Sequence, residues 1–264
     1  MDTIVRNVWP RLFLLALMLT GLAQAWANAQ TQLGGAEVSV LTIEGAIGPA
    51  TADYVAGGIA RAAEQGAPMV IVRMDTPGGL DTSMREIIRA ILGSPVPVVT
   101  YVSPSGARAA SAGAFILTAS HVAAMAPATN VGAATPVQLG APAAPSSPDP
   151  GDRQSEDKRN SSPAKAGGAS EAKALNDAIA YIRSLAEMRG RNADWAEAAV
   201  RDAASLSAKS ALEQNVIDIV ARDDGDLLAQ LNGRSVSMGN GQVRLQTDGL
   251  RLTEVLPDLH TLLL

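Results

Sequence analysis

Apolar and polar positions along this chain follow two alternating periods, one suited to strands and one to helices. Residues 37–43 read as a strand and 52–65 as a helix. Residues 69–74, bounded by Pro68 and by Asp75-Thr76-Pro77, form a short β-branched run of the fully buried kind. Asp81 reads as a helix N-cap, and the helix it opens runs to Leu92 with Met84, Ile87, Ile88 and Ile91 on one apolar face. Residues 96–102 are a second buried strand, 112–119 a short helix and 122–125 a further strand. This strand–helix alternation predicts an α/β fold with a mostly parallel sheet, spanning residues 36–222.

Two stretches break the pattern. Residues 139–172 hold Pro142, Pro145, Pro148, Pro150 and Pro163 among many Ser and Gly, with nothing to bury; they read as a disordered insert, a lid or a linker. Periodicity returns at Lys173, where Leu175, Ile179, Ile182 and Leu185 predict an amphipathic helix to about Arg189. Residues 192–203 and 207–214 predict two more helices, and 216–221 another buried strand. Residues 223–264 read as an extension: a helix at 226–231, then strands at 236–238 and 243–246 around Asn240-Gly241, a strong hairpin signal.

The first 29 residues read as an address. Arg6 and Arg11 precede an apolar run at 12–23, and Ala27-Asn28-Ala29 offers a small-x-small cleavage site. Twelve apolar residues make roughly 18 Å of helix, short of the ~30 Å hydrocarbon core. A cleaved export signal is the first reading and an uncleaved N-terminal anchor the second. Either places the protein outside the cytoplasm, periplasmic or otherwise extracytoplasmic, or at the membrane surface.

Composition narrows the chemistry. Acidic residues outnumber basic ones, 26 to 21, and only 3% of positions are aromatic. Such a chain lacks both the phosphate-neutralising charge and the stacking faces of a nucleic-acid binder. Cysteine is absent, which removes disulfides, thiolate catalysis and Cys-ligated metals together. With two histidines, His121 and His260, and no HExxH spacing, neither a metal nor another cofactor is expected. Chemistry must run on hydroxyls, lysines or carboxylates.

Two glycine-bearing turns follow consecutive buried strands: Asp75-Thr76-Pro77-Gly78-Gly79-Leu80, and the segment from Ser103 through Gly106, Ala107 and Arg108 to Ser111 and Gly113. In open α/β sheets, ligands bind at the carboxyl ends of strands, so both turns belong on one rim. Ser111, among Ala110, Ala112 and Gly113, would stand at the start of a helix, where free N–H groups and the positive dipole end favour an oxyanion. A plain turn and a plain helix cap are the bland readings of the same residues. A nucleophilic serine needs a base. His121 lies ten residues on, roughly 15 Å along an intervening helix, and reads as a structural histidine. Lysine serves only if desolvation strips its proton. Lys158 and Lys165 lie in the polar insert, Lys209 in a surface context, and Lys173 where the buried helix face begins; a solvated first-turn lysine is the bland reading of Lys173.

The runs Met74-Asp75-Thr76-Pro77-Gly78-Gly79 and Pro104-Ser105-Gly106-Ala107-Arg108-Ala109-Ala110-Ser111-Ala112-Gly113 strongly resemble the NfeD family, membrane-associated serine proteases that partner stomatin-like proteins. The likeness continues through 120–127, 130–136 and 173–186, covering most of residues 38–222. It implies a Clp-protease/crotonase-like fold, a spiral of repeated ββα units. It also implies Ser111 as nucleophile, Lys173 as general base, and the amides of Gly79 and Ala112 as oxyanion hole. Gly78 and the 106–108 segment would bind substrate, an extended peptide adding there as a strand. The expected substrate is an apolar segment of a stomatin-like membrane protein, with a homodimer a family expectation. Longer members continue into membrane helices and a small β-barrel; this chain resembles a short or truncated form, tethered, if at all, through residues 1–29. The rivals are a crotonase-type acyl-CoA enzyme and a non-catalytic scaffold for a membrane partner.

Overall fold

The computed structural model describes residues 37–136, 164–239 and 241–257. The export segment, Lys158, most of the predicted insert, Asn240 of the hairpin turn and His260 lie outside the described residues. The chain begins β1 (Glu37–Glu44), α1 (Pro49–Glu64), β2 (Val70–Asp75), α2 (Asp81–Leu92), β3 (Val98–Val102), β4 (Arg108–Ala110) and α3 (Ala112–Ala119). It continues β5 (Val122–Met125), β6 (Asn130–Gly132), α4 (Ala164–Met188), α5 (Ala193–Arg201), β7 (Ser205–Ser207) and α6 (Ala208–Glu213). It closes with β8 (Ile219–Val220), α7 (Asp224–Leu231), β9 (Ser235–Met238), β10 (Gly241–Arg244) and β11 (Arg251–Glu254).

One six-stranded sheet, ordered β11-β1-β2-β3-β5-β8, is parallel at every pairing. A parallel sheet must be covered on both faces, which is why its strands read as apolar runs. Successive residues supply opposite faces. Val70, Val72 and Met74 pack with Ile87, Ile88 and Ile91 of α2 and with α3 and α4. Met69 and Ile71, with Val99, Tyr101 and Val122, meet Leu227 and Leu231 of α7 and Val236 and Met238 of β9. The C-terminal segment thus covers the second face of the sheet and adds β11 beside β1, with Glu37 opposite Arg251. Tyr54 holds that edge, its hydroxyl donating to Val255 O at 2.5 Å and accepting from Thr42 N at 3.1 Å. Arg73 spans it from β2, pairing with Asp224 at 2.5 Å and also with Glu254.

A second, three-stranded sheet, ordered β4-β6-β7, stands beyond the carboxyl ends of the large one. In β3–β4–α3 and in β5–β6–α4, the first strand enters the large sheet and the second the small one, which is the expected ββα repeat. These three-residue strands are too short to show an alternation and were not expected from the sequence.

Two helix starts differ from the sequence reading. Asp81 is the first residue of α2 rather than its cap; Leu80 is the N-cap and contributes no side-chain bond. The Asp81 carboxylate instead favours the positive helix end and binds Arg85 Nε at 2.9 Å, one turn on. The helix expected from Lys173 begins at Ala164, nine residues inside the stretch read as an insert. Among the described residues no helix is long and apolar enough to cross a membrane.

Candidate active site

The two glycine turns meet on one rim, as their place after parallel strands requires. Thr76 organises the first. It is fully buried, and its hydroxyl donates to Gly45 O at 2.7 Å while accepting from Gly78 N at 3.0 Å. Ile47 then clamps the turn: its N–H donates to Gly78 O at 2.9 Å, and its carbonyl accepts from Leu80 N at 2.9 Å. Gly79, paired with Ile47, could not carry a Cβ, because that atom would overlap the Ile47 backbone. Its own N–H has no acceptor among the described residues.

The second turn delivers Ser111. Thr76 N donates to Arg108 O at 2.8 Å and Ala110 N to Thr76 O at 3.1 Å, so β4 is stitched to the first turn. Ser111 N donates to Gly132 O of β6 at 3.1 Å, and α3 starts at the next residue. The half-buried Ser111 adopts φ 52° and ψ −118°, a conformation that glycine dominates. A strained serine at a sharp strand-to-helix corner is the geometry of a nucleophile elbow. Gly78, at φ 114°, lies directly beneath: a Cβ there would fall 2.6 Å from Ser111 Cβ and 3.0 Å from its Oγ. Ala112 N is the first N–H of the helix, with no acceptor among the described residues. The amides of Gly79 and Ala112 therefore flank the serine unspent, at a helix N-terminus where anionic charge is favoured.

The remaining expected residues divide. The N–H groups of Gly106, Ala107 and Arg108 donate to Ala128 O, Pro104 O and Asp75 Oδ1, at 2.9–3.1 Å. Both edges of β4 are occupied, by the Thr76 turn and by β6. An added peptide strand therefore finds no free N–H donor on 106–108 among the described residues. Lys173 is exposed on α4, and no hydrogen bond joins it to Ser111 among the described residues. The dry surroundings expected for it are therefore not supplied by the packing of α4. The buried face of that helix begins further on, with Ala178, Ile179 and Ile182. Lys209 is exposed and faces Glu213 at 3.8 Å. Asp75, Thr76, Ile47 and Gly132 build the corner and were not singled out from the sequence; the D-T-P-G-G turn was the one local sign of Thr76's role.

Helix α4 is held against the serine helix by aromatic contacts. Phe115 of α3 stacks on Tyr181 of α4 with ring centroids 6.1 Å apart, and the Arg85 guanidinium lies 4.4 Å above the Tyr181 ring. Arg85 also pairs with Asp177 at 2.6 Å, one turn beyond Lys173.

His121 stands at the opposite rim, before β5. It is buried, and its Nδ1 accepts from Val98 N at 3.2 Å. Burial, reinforced by Arg189 and Arg191, lowers its pKa from 6.5 to about 4. The ring is thus neutral when folded, and the unfolded chain binds the extra proton below pH 6.5. Stability should fall as pH drops from about 6.5 to about 4, by up to roughly 3 kcal/mol, and level off below. Thermal melts across that range should show a shallower fall in His121→Asn.

Comparison with known proteins agrees with this architecture. The family model of the NfeD1b N-terminal domain matches residues 37–147. The membrane-bound protease PH1510 of Pyrococcus horikoshii is 39% identical over 196 residues, covering 74% of this chain. A lysine-to-alanine variant of the 1510-N membrane-bound stomatin-specific protease, solved with a substrate peptide, superposes with TM-score 0.71 at 34% identity, over 87% of this chain and 96% of that one. The chain belongs to the NfeD family. A serine-to-alanine variant of 1510-N gives TM-score 0.69 at 35% identity, over 85% of this NfeD chain and 99% of that one. This NfeD chain spans 40% of the length of PH1510.

Proposed function

We propose that this NfeD chain is a serine endopeptidase with Ser111 as nucleophile and Lys173 as general base. The observation that carries the reading is the strained Ser111 corner flanked by two unspent amides. Neutral Lys173 takes the Ser111 proton as Oγ attacks a peptide carbonyl. The Gly79 and Ala112 N–H groups bind the oxyanion, the protonated lysine gives its proton to the leaving amine, and water hydrolyses the acyl-enzyme. Lys173 is exposed in the single chain, so substrate laid across the rim is the element that excludes water from it. The 1510-N relatives are described as specific for a stomatin homologue, one of them with a substrate peptide bound. By that likeness the substrate here is an apolar segment of a stomatin-like membrane protein, met on the extracytoplasmic side after export through residues 1–29. A homodimer is the assembly to test by sedimentation.

A fluorophosphonate probe should label the full chain at Ser111 alone, and Ser111→Ala should abolish labelling. Lys173→Ala should slow both labelling and hydrolysis of an apolar peptide about 10²–10⁴-fold. An unreactive Ser111 would favour the scaffold reading, and full activity in Lys173→Ala would return the base role to Lys158 or Lys165.

A further inference from the structure

At the rim opposite Ser111, a cavity of about 410 Å³ lies between the end of α4, the start of β5 and β9. Its polar lining includes Arg189, Arg234, His121, Asp218 and Glu187. The carboxylates there are already engaged. Asp218 Oδ2 accepts from Arg191 Nη2 at 2.6 Å and from Ala123 N at 2.7 Å, and Glu187 faces Arg183 at 3.8 Å. The two lining arginines are not. Arg189 donates only to carbonyls, from Nε to Ala119 O at 2.8 Å and from Nη1 to Ser237 O at 3.4 Å. Arg234 donates from Nη2 to the backbone carbonyl of Asp218 at 3.3 Å. Neither has a carboxylate within 4.0 Å among the described residues. His121 adds a third donor: with Nδ1 accepting from Val98, its proton sits on Nε2, which meets no acceptor among the described residues.

We propose that this cavity binds a small oxyanion of the phosphate class, held by the unspent N–H groups of Arg189 and Arg234 and by His121 Nε2. Planar guanidinium forks match phosphate oxygens two at a time, and a half-buried site makes each charge-assisted bond stronger than in water. The lowered pKa values agree: burial and the neighbouring Arg191 bring Arg189 to about 10, and burial with both arginines brings His121 to about 4. Asp218 offsets Arg189 only in part, because its carboxylate is paired with Arg191 at 2.6 Å. It is independent of the protease reading, since no residue of it touches the Ser111 corner.

Titration calorimetry of the full chain with inorganic phosphate at low ionic strength and pH 7.5 tests this. Saturable binding is expected, weakened at least tenfold in Arg234→Gln, with the His121 ring resonances shifting along the same isotherm. Arg189 braces α3, so Arg189→Gln is read only alongside Arg234→Gln, which removes no helix contact. Phenyl phosphate distinguishes the sources: tighter binding than phosphate assigns the site to a monoester, weaker binding to the free anion. Absence of saturable binding overturns the proposal. So does an affinity unchanged in Arg234→Gln, or binding that leaves His121 unmoved.

Discussion

Ser111→Gly is expected to leave a protein that is more stable than the wild type and devoid of hydrolytic activity. At φ 52° and ψ −118°, Ser111 occupies backbone space that a side-chain-bearing residue enters at a cost of about 1–3 kcal/mol. Glycine pays none of this, but brings about 0.5–1 kcal/mol of extra unfolded-state freedom. The net gain should be about 0.5–2 kcal/mol. Ser111→Ala keeps the Cβ and the strain, so its stability should match the wild type within about 0.5 kcal/mol. Both variants lose the hydroxyl, and turnover should fall by at least about 10⁴-fold. Denaturant unfolding and peptide hydrolysis on the three proteins separate the effects. A glycine variant no more stable than the alanine variant would mean that the corner stores no more strain than the roughly 0.5–1 kcal/mol that glycine's unfolded-state freedom costs. Turnover in either variant well above about one ten-thousandth of the wild type would remove Ser111 as nucleophile.

What could be read from the sequence, and what could not, follows from how far apart in the chain the deciding partners lie. The strands at 70–75 and 98–102 were legible because each is a buried apolar run stopped by Pro or Gly. Ser111 was legible because small residues surround it directly before a helix. Thr76 was not, because its role depends on Gly45, far upstream, and Gly79 is forced to be glycine by the backbone of Ile47 rather than by its own turn. Gly132 illustrates the same limit. The overlap that a Cβ on Gly132, at φ 135°, would make with Ala204 and Ser205 arises where β6 pairs antiparallel with β7, strands of three residues each. The edge strand β11 has so exposed a pattern that nothing local marks it; only its match to β1 does. Lys173 shows the converse. Its place at the head of an apolar helix stripe suggested a dry amine, yet burial begins a turn later, with the residues that reach α3.

Asp218→Asn is expected to destabilise the fold by about 3–5 kcal/mol, although Asp218 lies far from the serine. Arg191, with a side chain only 3% exposed, has this carboxylate as its ion-pair partner at 2.6 Å. Its Nη1 donates to Thr118 O at 2.7 Å and Ser120 O at 2.9 Å, closing the carboxyl end of α3. Asparagine would still accept from Ala123 N, so the loss isolates an uncompensated buried charge. Arg191→Met should also destabilise, by stripping the α3 carbonyls of their donor. The double variant should cost less than the sum of the singles by about 0.5–3 kcal/mol, because no buried cation is then left alone. Additive losses in urea unfolding would mean that the two groups do not act as a pair. The same helix begins at Ser111, so loosening its far end should displace the Oγ from the Gly79 and Ala112 amides. In Asp218→Asn, kcat should therefore fall more than KM rises. A selective rise in KM would instead place Arg191 and Asp218 outside the positioning of the nucleophile.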